Sequence, residues 1–264
     1  MNHALQGQTA LVSGSTAGIG LAIAQALGRD GASVVVNGRT TARVDAALHT
    51  LREENPDGHF VGIAADLASA EGAATVIAAH PDIDILINNL GIFAVSPFES
   101  TSDAEWTRFF ETNVMSGVRL ARHYVPRLIA KGSGRVVFIS SESGVQIPTE
   151  MIHYGTTKAA QIAIARGLAQ QAAKTGVTVN SVLAGPTRSE GVGTFIAEFA
   201  HAQGVSQSQF EADFFRTARP SSLLQRFLDP AEIANVVVFL ASPAASAITG
   251  ASIRAEGGLL QSAW

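Results

Sequence analysis

The chain contains no cysteine in 264 residues, so it holds neither a disulfide framework nor a thiolate metal site, and a reducing compartment suits it. It also lacks a positive excess: 18 lysines and arginines stand against 22 aspartates and glutamates, for a formal net charge of −4 and a pI near 6.0. No overall basic field is available to hold nucleic acid or an anionic membrane, and the expected ligand is small. No uninterrupted apolar run reaches about 18 residues, and the opening MNHALQGQTALVSGS has no basic leader followed by a long apolar core. These absences lead to the expectation of a cytoplasmic protein without a membrane segment. Tyrosine is scarce as well, with two in the chain.

What is present is apolar. At 47% hydrophobic and 15% charged residues, the chain can bury a large core as one α/β domain, or at most two. Short β-branched runs alternate with alanine-rich segments of helical period: TALVS, SVVVN, HFVGIAA, IDILINN, RVVFIS, TVNSVLA and SIRA. Seven strands separated by helices imply a doubly wound, Rossmann-like parallel sheet in three layers. Helices are expected near Ile19 to Arg29, Thr41 to Glu54, Ala70 to Ala79, Asp103 to Ala130, Tyr154 to Lys174 and Pro230 to Ala241. No repeat, charge block or linker divides residues 1–264.

Two stretches carry chemistry. "VSGSTAGIG", Val12 to Gly20, joins the first strand to the first helix with glycines at 14, 18 and 20. Gly14 permits a tight turn, Gly18 lets backbone approach a pyrophosphate, and Gly20 permits close packing of helix on sheet. The helix N-terminus then offers free N–H groups to phosphates. In "SSESGVQIPTEMIHYGTTKAA", residues 140–160, Tyr154 and Lys158 stand four apart and share one helix face.

Together these motifs resemble the short-chain dehydrogenase/reductase family in its single-domain form, and the likeness runs nearly end to end. "SGSTAGIG" is similar to that family's cofactor turn, and "NNLG", Asn88 to Gly91, to its Asn-Asn-Ala-Gly with Leu90 in place of alanine. Asn113, Ser141, Tyr154 and Lys158 match the catalytic tetrad. "VNSVLAGPTRS" resembles the nicotinamide-side loop, with Ala184 and Ser189 replacing proline and threonine, and in "ITGASIRAEGG" Glu256 takes an aspartate's place. The resemblance implies a cofactor held by Gly14, Ser15, Thr16, Gly18, Ile19 and Gly20 of the turn, Asp66 and Leu67 after the third strand, and Asn89 and Gly91 after the fourth. Gly185, Pro186, Thr187 and Ser189 after the sixth strand complete that set with Tyr154 and Lys158. An N-cap role for Asp66 is the alternative.

The implied chemistry suits these residues. Hydride reduction of a ketone needs an acid at the oxygen, and a tyrosine with a nearby cation can serve. Ser141 would hold the substrate oxygen, with Ser140 as its competitor. Asn113, an indifferent helix former, suggests a kink where a bound water relays protons to Lys158. Counting from Gly14 puts Gly38 and then Arg39 where an NAD-binding carboxylate would stand. Arg39 can pair with a 2′-phosphate, so NADP(H) is favoured over NAD(H), although Ala17 stands where a second basic residue is common.

Between Ser189 and Arg226 a long insertion carries Phe195, Phe199, Phe210, Phe214 and Phe215, with Phe227 just beyond. It reads as a substrate lid, too polar for a static core element, whose aromatics favour apolar or aromatic carbonyl compounds. A helical pair docked on a neighbouring subunit is the alternative. His153 and Glu142 either line the substrate cleft or face solvent, Trp106 is expected to pack, and Trp264 to dock on another subunit. The expectation is an NADP(H)-dependent ketone reductase, a homotetramer or dimer. A dinucleotide-binding sensor without turnover is the other class.

Overall fold

β-Branched residues fill a pleated surface well, and the seven runs rich in them are the seven strands of a computed structural model that describes residues 4–262, apart from the side chains of residues 194, 195, 198, 199 and 203. The strands are β1 (Thr9–Val12), β2 (Ser33–Gly38), β3 (His59–Ala64), β4 (Ile85–Asn88), β5 (Gly134–Ser141), β6 (Val177–Ala184) and β7 (Ser252–Ala255). They form one sheet in the order β3-β2-β1-β4-β5-β6-β7, parallel at every pairing. The order reverses between β1 and β4, which opens a crevice at their carboxyl ends.

Alternate residues of each strand serve opposite faces. Ala10, Val12, Val34, Val36, Ile85 and Ile87 pack with helices α1 (Gly18–Arg29), α2 (Thr41–Glu54) and, from the end of the chain, Pro230–Ala241. Leu11, Val35, Leu86, Val136 and Phe138 pack against the other layer. That layer consists of α3 (Ala70–Ala79), the long segment after β4, and the helix Ile152–Gln171. Being covered on both sides, β4 and β6 are buried along their whole length, including the polar Asn88, Thr178, Asn180 and Ser181.

The segment expected as one helix from Asp103 to Ala130 is interrupted. It runs as α4 (Asp103–Phe110), a π turn over Glu111–Met115, and α5 (Ser116–Lys131). The expected kink at Asn113 is therefore a bulge with a wider hydrogen-bond ladder. Helix α6 (Ile152–Gln171) stops short of Lys174 because that residue has φ +66, outside the helical region.

The insertion folds as α7 (Glu190–Gln203) and α8 (Gln207–Thr217), followed by irregular chain up to α9 (Pro230–Ala241). Phe210, Phe215 and Phe227 are buried with Ile196 and Ala200 in a small core of their own. Phe214 stacks on Phe227 at 5.2 Å and meets Phe215 edge-on at 5.2 Å. The expectation that this segment is too polar for a core element is corrected on this point: the polar stretch Ser206 to Gln209 faces outward while the phenylalanines cluster. The side chains of Phe195 and Phe199 lie outside the described residues, as does Trp264.

Phe138 is fully buried at the middle of β5, and α5 passes so close that a Cβ on Gly117 would stand 3.0 Å from its ring. Truncation to alanine should cost about 3–5 kcal/mol, the range for a large aromatic that leaves a cavity. A denaturant midpoint shifted accordingly, at unchanged slope, would confirm it, whereas a loss below about 1 kcal/mol would show that the two layers close over the gap.

Candidate active site

The crevice is an open cleft of about 530 Å³ whose floor is the glycine-rich turn. Gly18 has φ +55, and a Cβ there would stand 2.9 Å from Cβ of Ser189; one on Gly20 would meet the Gly14 carbonyl oxygen at 2.3 Å. Only glycine leaves this cradle open. Helix α1 begins after Ala17 with no side-chain cap, so its first N–H groups are available to an anion. An uncapped helix end above a cradle that a single Cβ would fill suits a pyrophosphate. Gly14, Gly18, Ile19, Gly20, Asn89 and Gly91 all line the cleft, and so do Gly185, Pro186, Thr187 and Ser189 on the opposite wall.

Other residues expected at the cofactor stand elsewhere. Ser15 is 0% exposed; its hydroxyl donates to the Val12 carbonyl at 2.7 Å and accepts from Asn37 N at 2.9 Å. It builds the turn instead of facing the cleft. Thr16 packs on β2, where a Cβ on Gly38 would meet its methyl at 2.4 Å. Leu67 is a core residue. Asp66 is exposed and accepts from Ala68 N at 3.1 Å, but it does not cap α3; Ser69 does, accepting from Gly72 N at 2.9 Å. Arg39 is exposed beyond Gly38, outside the cleft wall.

Two residues at this end escaped sequence reasoning. Asn37 accepts from Gly14 N at 3.2 Å, and Asn89 braces the same turn from the other side, its amide donating to the carbonyls of Ser13 and Gly14 at 3.0 and 2.9 Å. Arg43, in the first turn of α2, reaches across to Glu190 of α7 at 2.6 Å.

At the other end β5 delivers the two serines. Ser140 donates its hydroxyl to the main-chain carbonyl of Lys158 at 2.8 Å and is committed to holding α6. Ser141 accepts from Ser143 N at 3.1 Å and donates to the Glu142 carboxylate beside the cleft. The first turn of α6 sets Tyr154 into the cleft wall, and the next turn brings Lys158, 5% exposed. The Lys158 ammonium lies 5.6 Å from the Tyr154 ring centroid; it donates to the Ile139 carbonyl at 2.9 Å and to Gln161 Oε1 at 3.2 Å. Burial pushes Lys158 down to about 8, against the upward pull of Glu142. Desolvation raises the Tyr154 hydroxyl above its ordinary value and the charge of Glu142 adds to this, while a hydrogen bond with Ser141 and the charge of Arg219 oppose it. The phenol is thus protonated at neutral pH, the state a proton donor requires.

Asn113 does not reach the cleft. At 1% exposure in the π turn, its side chain accepts from Ile92 N at 2.8 Å and donates to the Ile92 carbonyl at 2.9 Å and Thr157 Oγ1 at 3.0 Å. Its main-chain carbonyl accepts from Gln161 Nε2 at 2.6 Å.

This arrangement has relatives. The sequence profile of short chain dehydrogenases matches residues 8–198. The chain belongs to the short chain dehydrogenase family. Two Bacillus subtilis (strain 168) proteins, Uncharacterized oxidoreductase YvaG and Uncharacterized oxidoreductase YvrD, are each 46% identical to it. The first alignment covers 98% of both chains, and the second 99% of this chain and 100% of its relative. L-sorbose reductase from Gluconobacter frateurii, solved in complex with NADPH and L-sorbose, superimposes with a TM-score of 0.92 at 29% identity, covering 99% of this chain and 100% of that one. The protein is an NAD(P)-dependent oxidoreductase.

In this dehydrogenase the family's substituted positions have structural uses. Leu90 packs on the turn, within 3.1 Å of where a Gly14 Cβ would be. Glu256 is buried, accepting from Arg254 Nε at 2.7 Å and Leu260 N at 3.3 Å, and its backbone lies against Gly185. The end of the cleft beside Ser141 and Tyr154 combines apolar residues (Phe93, Val95, Met151, Phe214 and Phe227) with three charges. Glu142, 4% exposed, accepts from Ser143 Oγ at 3.0 Å and faces Arg219 at 3.7 Å; Arg219 reaches Glu150 at 3.2 Å. Burial holds the Glu142 carboxyl above the usual carboxylate range. His153 belongs to neither cleft nor surface: it is 1% exposed, its ring 4.3 Å from Phe109 and 6.2 Å from Trp106. Among the described residues no helix is long and apolar enough to cross a membrane.

The geometry separates the adjacent serines. Ser141→Ala should lower kcat by roughly 100-fold, the cost of one donor at a developing oxyanion, and stability by about 1–2 kcal/mol through its two buried hydrogen bonds. Ser140→Ala should lower stability by about 1 kcal/mol, the net value of one hydrogen bond, and spare kcat. Steady-state kinetics and melting curves on the pair check both, and the reverse assignment would be read at once.

Proposed function

We propose that this enzyme is an NADP(H)-dependent reductase of ketones, and the corresponding dehydrogenase of secondary alcohols in reverse. The observation that carries the proposal is the convergence of Ser141, Tyr154 and Lys158 at one end of a cleft whose other end is an uncapped helix N-terminus. When bound, the nicotinamide supplies or accepts the hydride. Ser141 turns its single hydroxyl proton from the Glu142 carboxylate to the substrate oxygen, and Tyr154 delivers a proton to that oxygen as negative charge develops. Lys158, cationic beneath the Tyr154 ring, stabilises the phenolate that remains. Asn113 acts from behind, holding the bulge against α6 and Ile92 against the bulge. A sensor without turnover has no use for this set, and measurable reduction of any carbonyl compound separates the two readings.

NADP(H) is supported by three observations. No carboxylate follows β2, Arg39 stands there exposed, and the similar L-sorbose reductase was solved with NADPH. NAD(H) remains the second choice. For the substrate, the expected apolar wall is present but ends on Glu142 and Arg219. A buried carboxylate beside the catalytic serine accepts hydrogen bonds from hydroxyl groups, so the reading favours carbonyl compounds that also carry a hydroxyl, over purely apolar ones. Residues 189–226 as a lid, a cytoplasmic location and a homotetramer or dimer complete the proposal. Phe214, Phe227 and Arg219 in the cleft wall support the first, and the exposed Leu223, Leu224 and Phe239 support the last.

Tyr154→Phe should retain fold and cofactor affinity and lose turnover by roughly 100-fold or more, the contribution of a positioned acid. Nicotinamide absorbance with a panel of ketones, hydroxyketones and alcohols is the assay, and near-normal activity in that variant would end the mechanism. Arg39→Ala should weaken NADP(H) by about 1–3 kcal/mol, as expected for a lost charge-assisted hydrogen bond, and leave NAD(H) nearly unchanged. Equal weakening of both cofactors in fluorescence titrations would remove Arg39 from phosphate recognition.

A further inference from the structure

Gln161 lies three residues after Lys158 on α6, on the same face and 2% exposed. A carboxamide at such a depth is costly unless both ends are hydrogen-bonded, and here both are. Nε2 donates to the main-chain carbonyl of Asn113 inside the π turn at 2.6 Å, and Oε1 accepts from Lys158 Nζ at 3.2 Å. The wider turn of the bulge and the lysine are therefore joined through one planar side chain. Of the three N–H donors of the ammonium, one goes to Ile139 on β5 and one to Gln161. The third is left for the cleft, whose wall Lys158 forms.

We propose that Gln161 is a positioning residue of this reductase, its carboxamide fixing the Lys158 ammonium to the Asn113 carbonyl so that the remaining N–H is aimed at the junction of Tyr154 and cofactor. The inference rests on the reductase reading for its catalytic consequence and on the hydrogen bonds alone for the coupling itself. A carbonyl acceptor favours the charged form of an amine. Gln161 thus opposes the burial that lowers Lys158 and extends the pH range in which the lysine is a cation. The charged and titratable groups facing Lys158 are Tyr154 on its own helix and Glu142 on the turn after β5, the latter paired with Arg219. From β5 it meets a neutral group, the Ile139 carbonyl, and from the bulge the neutral Asn113 carbonyl through Gln161.

The chain has three lysines, and Lys131 and Lys174 are exposed, so a sample labelled with 13C at lysine Cε gives a spectrum in which Lys158 stands apart. Its titration is to be followed in the intact protein and in Gln161→Met and Gln161→Glu, alongside kcat for a turned-over ketone against pH. In Gln161→Met the Lys158 midpoint should fall by about 1 pH unit, the scale of a hydrogen bond to a charged group. The alkaline limb of kcat should move with it, kcat should drop roughly 10-fold through loss of aim, and KM should stay within about twofold. In Gln161→Glu the added charge should move midpoint and limb upward, and this variant keeps the test open if Gln161→Met proves unstable. Unmoved midpoints and limbs in folded variants, with only a lower melting temperature, would reduce Gln161 to packing and overturn the inference. Shifted midpoints in a protein that reduces no carbonyl compound would uphold the coupling and overturn the reductase reading instead.

Discussion

An ammonium ion buried behind a parallel sheet is the constraint that organises this molecule. Removing such a charge from water is expensive, and it is tolerated where oxygen acceptors surround it and the charge has work to do. Lys158 receives one acceptor from β5 and one from Gln161 on its own helix. Neither could be placed without the long strand β5, the abutting α6 and the bulge that braces Gln161 from behind. Ser140, spent on the Lys158 carbonyl, pins α6 to the same strand. The catalytic end is therefore a consequence of how one helix is fastened to one strand.

The charges around the phenol come from two sources of different character. Glu142 follows Ser141 and is held by its neighbours Ser141 and Ser143, so it belongs to the rigid end of β5. Arg219 belongs to the chain after α8 and arrives with the insertion. One raises the Tyr154 hydroxyl and the other opposes it. Burial first, and then the charges from the end of β5 and from the insertion, set the acid strength of the tyrosine.

Much of this was legible in the sequence because strand and helix periods are local signals. Seven apolar runs foretold seven parallel strands, and Ser141, Tyr154 and Lys158 share one end of the cleft while Asn113 stands one layer back. Side-chain commitments in the turn were not legible. Ser15 and Thr16 sit among the glycines of the turn, but their side chains turn away from the cleft, Ser15 toward Asn37 in a contact that spans 22 residues. Asp66 looked like a ligand or a cap, but Ser69, three residues later, is better placed to cap α3. Gln161 carried one faint signal, a polar side chain on the buried face of a helix. The insertion misled for a physical reason: composition reports polarity, whereas a core forms from the one face where phenylalanines coincide.

That small aromatic core has a consequence for how the fold can diversify. Ile196, Ala200, Phe210, Phe215 and Phe227 satisfy one another and draw little on the two large cores that flank the sheet. The segment is a cartridge with internal cohesion, attached near Ser189 and near Leu228, where Leu228 N meets the Pro186 carbonyl at 2.8 Å. On the proposed reading of this segment as a lid, a rewritten cartridge between those two attachment points changes what the cleft admits and leaves Lys158, β5 and the π turn in place.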